Sequence, residues 1–586
     1  MAREDLACNV AASLAGNPWR WRRSGGDPLT PDALVDELLL ARGVPRDDLP
    51  RHRAPTIRDF LPDPSVFQDM DKAASRVADA VDQGQTIAIF GDYDVDGATS
   101  AALLTLLLRR LGIEPMLYIP DRQAEGYGPN APALLALRER GADLIVTVDC
   151  GAQAFDAFAA AHQAGIEIVV VDHHQCAAAL PLTHALVNPN RLDENDVGAA
   201  HGHLAAVGMC FLFGVALLRE LRRRGRFADR PEPKLIDLLD LVALGTVADV
   251  AKLHGLNRAF VTQGLKVMAA GQNLGLVALA EAARLTRAPA CRDLGFALGP
   301  RINAGGRVGK ADLGVRLLTA TDPEEARSLA AELDRLNEER RAIETIVLEQ
   351  AEAQAQDQAD APVIIVAGNG WHPGVVGIVS SRLKERFDRP ALVIALDEAG
   401  VGKGSGRSIS GVDLGAAVLA AKDEGFLIAG GGHAMAAGLT MPPGGLEPLR
   451  AYLAERLAAD IERSRAGRAL LIDSLCAPRG VSAGLCDALD AGGPYGAGWP
   501  SPRLVSGPVR LIKIGVVGNG HVRGLACGDD GASFKWIAFR QADTPLGQAL
   551  LAAGADRRFW LAGSVKRDEW NGGERAEMHL DDAALA

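Results

Sequence analysis

Paired cysteines, long apolar runs and an excess of positive charge are all missing from this 586-residue sequence. Its eight cysteines never form a C-x-x-C pair, which disfavours a zinc ribbon and a redox dithiol. The longest nearly apolar stretch, residues 204–218, is about four residues too short for a bilayer span and is interpreted as a buried helix. The N-terminus carries charges without an apolar run, so we expect no secretory signal, no membrane partner and a cytoplasmic location.

The balance of charge limits how the protein can bind nucleic acid. The 62 basic and 74 acidic residues give a net charge of −12, which disfavours broad, nonspecific coating of a polyanion. Any phosphate binding must therefore be local. Metal sites recruit carboxylates, so an acidic total is compatible with a nuclease whose ions offset that charge at the substrate.

The chain is long enough for several domains, and its residue composition and hydrophobic pattern change along the sequence. Residues 1–60 are rich in Pro, Arg and Trp, and we predict an irregular N-terminal extension there. From residue 86, short apolar runs alternate with apolar helices, which predicts an α/β domain with a parallel sheet over residues 61–320. The predicted strands are 86–90, 113–119, 144–148 and 167–171.

The second half of the chain is predicted to contain a linker and two further domains. Asp322 and Pro323 are a helix N-cap and first helical residue, and apolar residues at helical spacing predict one linker helix over 321–360. A second α/β domain is expected at 361–460. Short strands separated by turns then predict a small barrel or sandwich over 465–586.

Acidic residues follow three of the predicted strands. Ligands of open parallel sheets bind beyond the carboxyl ends of the strands, so these side chains should meet in one crevice. We expect Asp94 and Asp96 to share one side of an extended segment, with Gly97 opening the next helix. The side chains are Asp92, Asp94 and Asp96, then Asp149, then Asp172, His173 and His174. A fourth motif ends a later apolar segment, where the carboxylate of Asp249 needs a positive partner if it is buried.

So many carboxylates in one crevice would repel one another, and divalent cations relieve that repulsion. Carboxylates with one or two imidazoles suit Mn²⁺, which we favour, or Mg²⁺. Two ions bridged by a carboxylate, roughly 3.5–4 Å apart, would activate water and steady the leaving oxygen of a phosphoester. Taken alone each motif is weaker, since Asp149 could simply cap a helix.

Three other segments are candidates for binding DNA. Residues 402–408 predict an anion cradle of glycines, hydroxyls and cations, with a flexible surface turn as the alternative. Arg301 and Asn303 lie in a glycine-rich run and would hold a phosphate oxygen, unless Arg301 only forms a loop salt bridge. Trp536 lies among aromatic and basic residues and could stack on single-stranded bases, although most such aromatics are core.

Several motifs together resemble the DHH phosphoesterase superfamily, in the form of its single-strand-specific DNA exonucleases. Residues 89–100, the triplet Asp172-His173-His174 and residues 246–250 carry the resemblance, which continues through 300–307, 371–378, 404–408 and 430–438. It covers roughly residues 60–586. It implies a DHH domain, a DHH-associated domain and a C-terminal oligonucleotide-binding (OB) fold.

The resemblance also implies roles for individual residues. Phe90 stands where some superfamily members have a histidine ligand, so Asp92 or additional water would complete one ion's shell. Beside the metals, His174 would contact the scissile phosphate, and His433 would lie near the cut nucleotide. The implied metal ligands are Asp94, Asp96, a bridging Asp149, His173 and Asp249, and the implied contacts of a DNA 5′ phosphate are Arg122, Ser405 and Arg407.

The activity implied is 5′ to 3′ exonucleolytic release of mononucleotides from single-stranded DNA in repair and recombination. The resemblance further implies a monomer at the nucleoid, with a single-strand-binding protein and a helicase as partners. Two alternatives remain open. A phosphodiesterase of short RNA or cyclic dinucleotides would lack a barrel after residue 468, and an inactive nucleic-acid-binding relative would have lost metal ligands.

Overall fold

The computed structural model describes residues 6–22, 30–121, 125–126, 128–358, 360–554, 556–568 and 572–586. The described parts of the N-terminal segment, residues 6–22 and 30–60, contain a short strand and several helices, so the prediction of an irregular extension is wrong there. Thr30 caps the first helix by accepting from the Ala33 amide, and Pro31 and Pro50 stand in the first turns of helices. The elements are β1 (Trp19–Trp21), α1 (Pro31–Ala41), α2 (Leu49–Arg53) and α3 (Ile57–Phe60).

A five-stranded, fully parallel sheet follows, as the alternating pattern predicted. Its strand order is β3-β2-β4-β5-β6, and β2 and β4 are buried along their whole length. Strand β6 was not predicted. The elements are α4 (Met70–Gln83), β2 (Ile87–Gly91), α5 (Val95–Arg110), β3 (Met116–Tyr118), α6 (Ala131–Glu139), β4 (Leu144–Val148), α7 (Phe155–Gln163), β5 (Glu167–Val171) and β6 (Ala185–Val187).

A group of helices covers this sheet and completes the first half of the chain. The apolar stretch 204–218 forms most of the buried helix α9, as predicted. Arg301 and Asn303 belong to helix α14 rather than to a glycine-rich loop, which corrects the expectation for that run. The elements are α8 (Asp196–Ala199), α9 (Ala206–Arg223), α10 (Leu239–Ala248), α11 (Gly255–Ala269), α12 (Leu274–Ala282), α13 (Cys291–Asp293), a π-helical turn (Leu294–Leu298), α14 (Gly299–Val308) and α15 (Leu313–Leu318).

The long helix α16 (Pro323–Gln356) leads to a second, mixed sheet of order β10-β11-β9-β8-β7. Residues 402–408 are mostly strand β9, paired on both sides, so the predicted loop with free backbone amides is wrong. Glycines are needed there because a Cβ at Gly406 would lie 2.7 Å from the Leu414 side chain. The elements are β7 (Ile364–Asn369), α17 (Val376–Phe387), β8 (Ala391–Leu396), β9 (Gly402–Arg407), α18 (Leu414–Asp423), β10 (Ala429–His433), β11 (Ala436–Met441) and α19 (Leu446–Ala466).

The C-terminal part is a closed barrel in which β14, β15, β16, β18 and β17 pair in turn and β17 returns to β14. Trp536 is 1% exposed and packs inside this barrel, so its ring cannot stack on DNA and that prediction is wrong. The elements are β12 (Leu470–Ile472), β13 (Ser474–Cys476), α20 (Ala483–Asp490), β14 (Leu504–Val517), β15 (His521–Gly528), β16 (Ser533–Ala538), α21 (Pro545–Leu551), β17 (Arg558–Arg567) and β18 (Ala576–Leu585).

Arg258 of α11 joins the N-terminal segment to both halves of the molecule. Its buried guanidinium donates to the carbonyl oxygens of His52 at 3.0 Å and Gly492 at 2.9 Å, and also to that of Gly493. The ring of Trp499 lies 5.5 Å from the same guanidinium. Strand β1 adds a parallel pairing with β12. None of the described helices combines the length and apolarity that crossing a membrane requires.

Candidate active site

The first acidic motif forms the turn between β2 and α5. Asp94 is the N-cap of α5, and its Oδ1 accepts from the amides of Asp96 at 2.9 Å and Gly97 at 3.1 Å. Asp96 therefore lies in the first helical turn, and the expectation of an extended segment that ends at Gly97 is wrong. A Cβ at Gly97 would lie 2.4 Å from the carbonyl oxygen of Asp92, so only glycine permits this tight turn.

Asp96 is oriented by the N-terminus of α9. Its Oδ2 accepts from the Ala206 amide at 2.6 Å, and its Oδ1 accepts from the Val207 amide at 3.0 Å. The positive end of a helix stabilises such a carboxylate. A Cβ at Gly245 of α10 would lie 2.9 Å from Asp96 Oδ1, so this glycine allows α10 to approach the carboxylate and to deliver Asp249 to the same crevice.

His173 lies at the centre of the cluster. Its Nδ1 is 3.0 Å from the carbonyl oxygen of Leu204, and its Nε2 is 3.2 Å from Oδ1 of Asp149 and 3.8 Å from Oδ2 of Asp96. Donation from Nδ1 to the carbonyl fixes the tautomer that leaves Nε2 with a lone pair. Asp149 has a φ of 61°, an uncommon backbone conformation for this residue type that is often found at functional sites.

Three overlapping groups of side chains could each hold a metal ion, with their ligand atoms within 4.8 Å of one another. Asp149 belongs to two of the groups and His173 belongs to two. This overlap is the geometry expected where neighbouring ions share a ligand. The groups are Asp149 with His173 and His174, Asp96 with His173 and Asp249, and Asp92 with Asp94 and Asp149.

The electrostatics of the cluster fit divalent cations. Burial and then the charge of Asp96 raise the pKa of Asp149 well above its usual value. Burial also raises the pKa of Asp96, and burial with the charges of Asp96 and Asp94 raises the pKa of Asp249 to about 8. Negative charge in this crevice is therefore costly without a counterion, and carboxylate oxygens with one imidazole are suitable ligands for Mn²⁺ or Mg²⁺.

Asp172 organises the second histidine. Its Oδ1 accepts from Nδ1 of His174 at 2.8 Å and from the His173 amide at 2.7 Å, and its Oδ2 accepts from the Ala152 amide at 2.9 Å. Burial disfavours charge on both partners, but their hydrogen bond and attraction dominate. The pKa of Asp172 falls to about 2 and the pKa of His174 rises to about 9. The contact with Asp172 thus favours the imidazolium form of His174.

Sequence reasoning missed two asparagines that brace the histidine pair. The Nδ2 of Asn188 donates to the carbonyl oxygen of His174 at 2.8 Å, and that of Asn190 donates to the carbonyl oxygen of His173 at 2.5 Å. Both residues follow β6, the strand that the sequence pattern did not reveal. The Asn-Pro-Asn sequence at the carboxyl end of a parallel strand was the available signal.

The other candidate residues occupy defined positions around the crevice or beyond it. Arg301 donates from Nε to Asp334 at 2.8 Å and from Nη1 to the carbonyl oxygen of Ala297 at 2.8 Å, while Asn303 is half-buried further along α14. His433 is exposed at the end of β10. Arg122 lies outside the described residues.

Ser405 and Arg407 project from the same side of β9, two residues apart. Nη1 of Arg407 donates to Oγ of Ser405 at 3.0 Å. A Cβ at Gly377, in the first turn of α17, would lie 3.0 Å from Ser405 Oγ and 3.2 Å from Nη2 of Arg407. The hydroxyl, the guanidinium and a helix N-terminus therefore meet, which is an arrangement suited to an anion.

Comparison with known proteins agrees with this architecture. Residues 86–246 match the DHH family N-terminal domain, residues 360–459 match the DHHA1 domain, and residues 472–582 match the RecJ OB domain. The fold and the acidic crevice thus define a phosphoesterase of the DHH class.

Curated relatives narrow the assignment. The chain is 36% identical to the single-stranded-DNA-specific exonuclease RecJ of Escherichia coli over 94% of this chain and 95% of the relative. It is 38% identical to RecJ of Dickeya dadantii over 86% and 88%, respectively. RecJ of Thermus thermophilus in complex with Mn²⁺ superposes with a TM-score of 0.73 at 29% identity, over 94% of this chain and 75% of that one. This chain belongs to the RecJ family of single-stranded-DNA-specific exonucleases.

Proposed function

We propose that this protein is a metal-dependent 5′ to 3′ exonuclease that hydrolyses single-stranded DNA to mononucleotides in repair and recombination. The observation that carries the proposal is the convergence of five aspartates with His173 in one crevice, in a chain of the RecJ family. Curated relatives are named for this substrate specificity, and solved relatives hold Mn²⁺ or Mg²⁺.

Two divalent cations, with Mn²⁺ favoured and Mg²⁺ possible, are the proposed cofactors. Asp92 is assigned as an additional ligand because it joins Asp94 and Asp149 in one candidate group, whereas the buried Phe90 ring packs on Tyr118 at 5.2 Å and offers no donor. When bound, the ions would polarise water and stabilise the leaving oxygen. The proposed ligands are Asp94, Asp96, a bridging Asp149, His173 and Asp249.

Cationic side chains in the crevice would position the scissile phosphodiester. Asp172 keeps His174 protonated, so that its imidazolium can attract a phosphate oxygen. Arg301 is held by Asp334 and the Ala297 carbonyl in a fixed orientation, and Asn303 would add a polar contact. Preorganised donors of this kind stabilise charge that develops during the reaction.

We assign the 5′-phosphate site to the place where the side chains of Ser405 and Arg407 lie next to the first turn of α17. Arg122 would contribute a further cation. The assignment is supported by the absence of a side chain at Gly377, because a Cβ there would lie 3.0 Å from Ser405 Oγ and 3.2 Å from Nη2 of Arg407 and would occupy space that an anion needs. Capture of a terminal phosphate would set the 5′ to 3′ polarity. His433 is placed beside the cut nucleotide.

The barrel would hold the strand outside the crevice through Phe539 rather than Trp536. Phe539 is 47% exposed, and the rings of His521 and His579 lie 5.2 Å and 5.0 Å from its ring. His521 begins β15, Phe539 follows the last residue of β16, and His579 lies within β18. The second and third strands of an OB barrel commonly form its ligand face, and aromatic rings there suit unpaired bases.

We further assign a monomer that acts at the nucleoid on strands exposed by a helicase and covered by a single-strand-binding protein. The family membership supports these partners. Domain boundaries at residues 60, 320, 360 and 465 would separate the N-terminal extension, the DHH domain, the linker helix, the DHH-associated domain and the barrel.

A comparison of linear and circular single-stranded DNA of one sequence tests the activity. Chelator-treated protein should be inactive, and added Mn²⁺ or Mg²⁺ should restore degradation of the linear molecule while the circle stays intact. Degradation of the circle, or activity that survives chelation, would overturn the proposal.

A further inference from the structure

Phe296 presents its ring to solvent beside the metal-binding crevice. At 80% exposure it is the most exposed large apolar side chain among the residues that the structure describes. It lies in the middle of the π-helical turn Leu294–Leu298, whose two end leucines are fully buried. Widened turns of this kind interrupt helices mostly at functional sites, and this one turns an aromatic ring outward.

Two glycines bring this turn against the segment that ends at the metal-ligand candidate Asp249. A Cβ at Gly295 would lie 3.5 Å from Val247, and a Cβ at Gly299 would lie 3.4 Å from Ala248. On the other side, the carbonyl oxygen of Ala297, the residue after Phe296, anchors Arg301 at 2.8 Å. The turn that carries Phe296 therefore contacts both the segment that ends at Asp249 and the side chain of Arg301.

Positive charge accompanies the ring and extends toward the barrel. The guanidinium of Arg292 lies 6.0 Å from the Phe296 ring centre. Cys291, next to Arg292, donates from Sγ to the carbonyl oxygen of Tyr495 at 3.4 Å, and Nζ of Lys566 in β17 lies 5.8 Å from the Tyr495 ring centre. An aromatic ring beside a guanidinium suits a nucleotide, with its flat base and anionic phosphate.

A second apolar side chain follows Asp249 directly. Val250 is 70% exposed and has a φ of 60°, a conformation that is strained for a β-branched residue. Its amide donates to the carbonyl oxygen of Val247 at 3.2 Å, which holds the backbone in place. Strain retained beside a ligand indicates that the exposed side chain is used there.

We propose that Phe296 is a base-stacking residue, which holds a nucleobase of the bound single strand on the path from the metal centre to the barrel. One ring and one valine offer far less area than the roughly 1,000 Å² of a stable protein interface, so a base is the better occupant. The proposal rests on the proposed exonuclease function. It makes Phe296 a determinant of substrate position that acts on the base, whereas the residues in the crevice act on phosphate.

The test compares oligonucleotides that each carry one abasic nucleotide at successive positions. Wild-type protein should lose affinity about 5-fold or more when one particular base is missing, and Phe296→Ala should lose a similar factor on the intact strand. Because the same contact would be lost in both cases, Phe296→Ala should no longer respond to the missing base at that position. Phe296→Tyr, which keeps a stacking ring, should behave as wild type.

Ile236→Ala is the matched control, because Ile236 is exposed just before the opposite end of α10. It should leave the abasic profile unchanged. A fluorescent 2-aminopurine at the sensitive position should be quenched by wild type and by Phe296→Tyr but not by Phe296→Ala. A position-dependent abasic effect that persists in Phe296→Ala would overturn the inference alone, while wild-type protein that fails to degrade single-stranded DNA would overturn the proposed function.

Discussion

Nε2 of His173 lies 3.2 Å from Oδ1 of Asp149, although the two residues follow different strands of the sheet. Parallel register between β4 and β5 places Val148 beside Val171, so the residues that follow them converge. Nδ1 of His173 is hydrogen-bonded to a backbone carbonyl oxygen, so Nε2 remains available to bind an ion in the crevice. Each of the candidate metal-binding groups contains Asp149 or His173.

Asp149→Asn should separate function from stability. We expect loss of Mn²⁺-dependent hydrolysis by about 100-fold or more, because the bridging charge is removed. The metal-free variant should also melt about 2 °C or more above metal-free wild type, since burial and neighbouring carboxylates penalise a charge at this position. Activity assays and calorimetry of chelator-treated protein measure both effects.

The exposed Asp543 provides the control for this variant. Asp543→Asn should leave activity and melting temperature unchanged. Wild-type activity in Asp149→Asn would remove Asp149 from the metal centre.

Arg407→Lys tests the 5′-phosphate site while keeping the charge. A lysine cannot reproduce the fixed fork of the guanidinium beside Ser405, so the preference for 5′-phosphorylated over 5′-hydroxyl DNA should fall about 10-fold. Rates on the two substrates give the ratio directly. Lys403→Ala removes a charge from the same strand and should preserve the ratio; an unchanged ratio in Arg407→Lys would refute the assignment.

Phe539→Ala should weaken binding of single-stranded DNA by about 5-fold or more, because one stacking ring is lost. Titration of a labelled oligonucleotide in the presence of a chelator measures affinity without cleavage. Val516→Ala removes an exposed apolar side chain from β14 and serves as the control. Equal affinities for both variants would show that Phe539 does not contact the strand.

Acid should destabilise the packing of the N-terminal segment against the rest of the chain. Burial, together with the charge of Arg258, lowers the pKa of His52 to about 4, below the usual 6.5. The unfolded state therefore binds a proton more readily than the folded state. The contribution of His52 to stability is complete above about pH 6.5 and is lost as the pH falls toward 4.

His52→Phe keeps a ring against Trp499 but cannot titrate. Its melting temperature should fall less than that of wild type between pH 7 and 5, with His203 accounting for part of the remaining slope because burial also lowers its pKa to about 4. Identical slopes for His52→Phe and wild type would contradict this account.

Local patterns predicted the first sheet well because its strands are buried on both faces. The apolar runs at 144–148 and 167–171 coincide with β4 and β5, and the acidic residues after them lie where parallel strands end. Strand β6 escaped notice because it has only three residues, and with it the asparagines that support His173 and His174. Strand β3 is equally short but lies within the longer predicted run 113–119.

Glycine-rich segments account for most of the wrong structural predictions from the sequence. Glycines in 402–408 suggested a loop, but they fit a central strand because neighbouring side chains fill the space above them. Likewise Gly299, Gly305 and Gly306 lie within α14, where a Cβ at Gly306 would lie 2.8 Å from the carbonyl oxygen of Tyr93. Close packing between distant segments thus selected glycine, and sequence alone does not reveal such contacts. The burial of Trp536 is a similar tertiary effect.

The most direct test of the central claim is digestion of single-stranded DNA labelled at either end, with Mn²⁺ present. We predict immediate release of a labelled mononucleotide from the 5′ end, late release of the 3′ label, and no digestion of blunt duplex. Immediate release from the 3′ end, or cleavage of a dinucleotide RNA with no digestion of the long strand, would contradict the account.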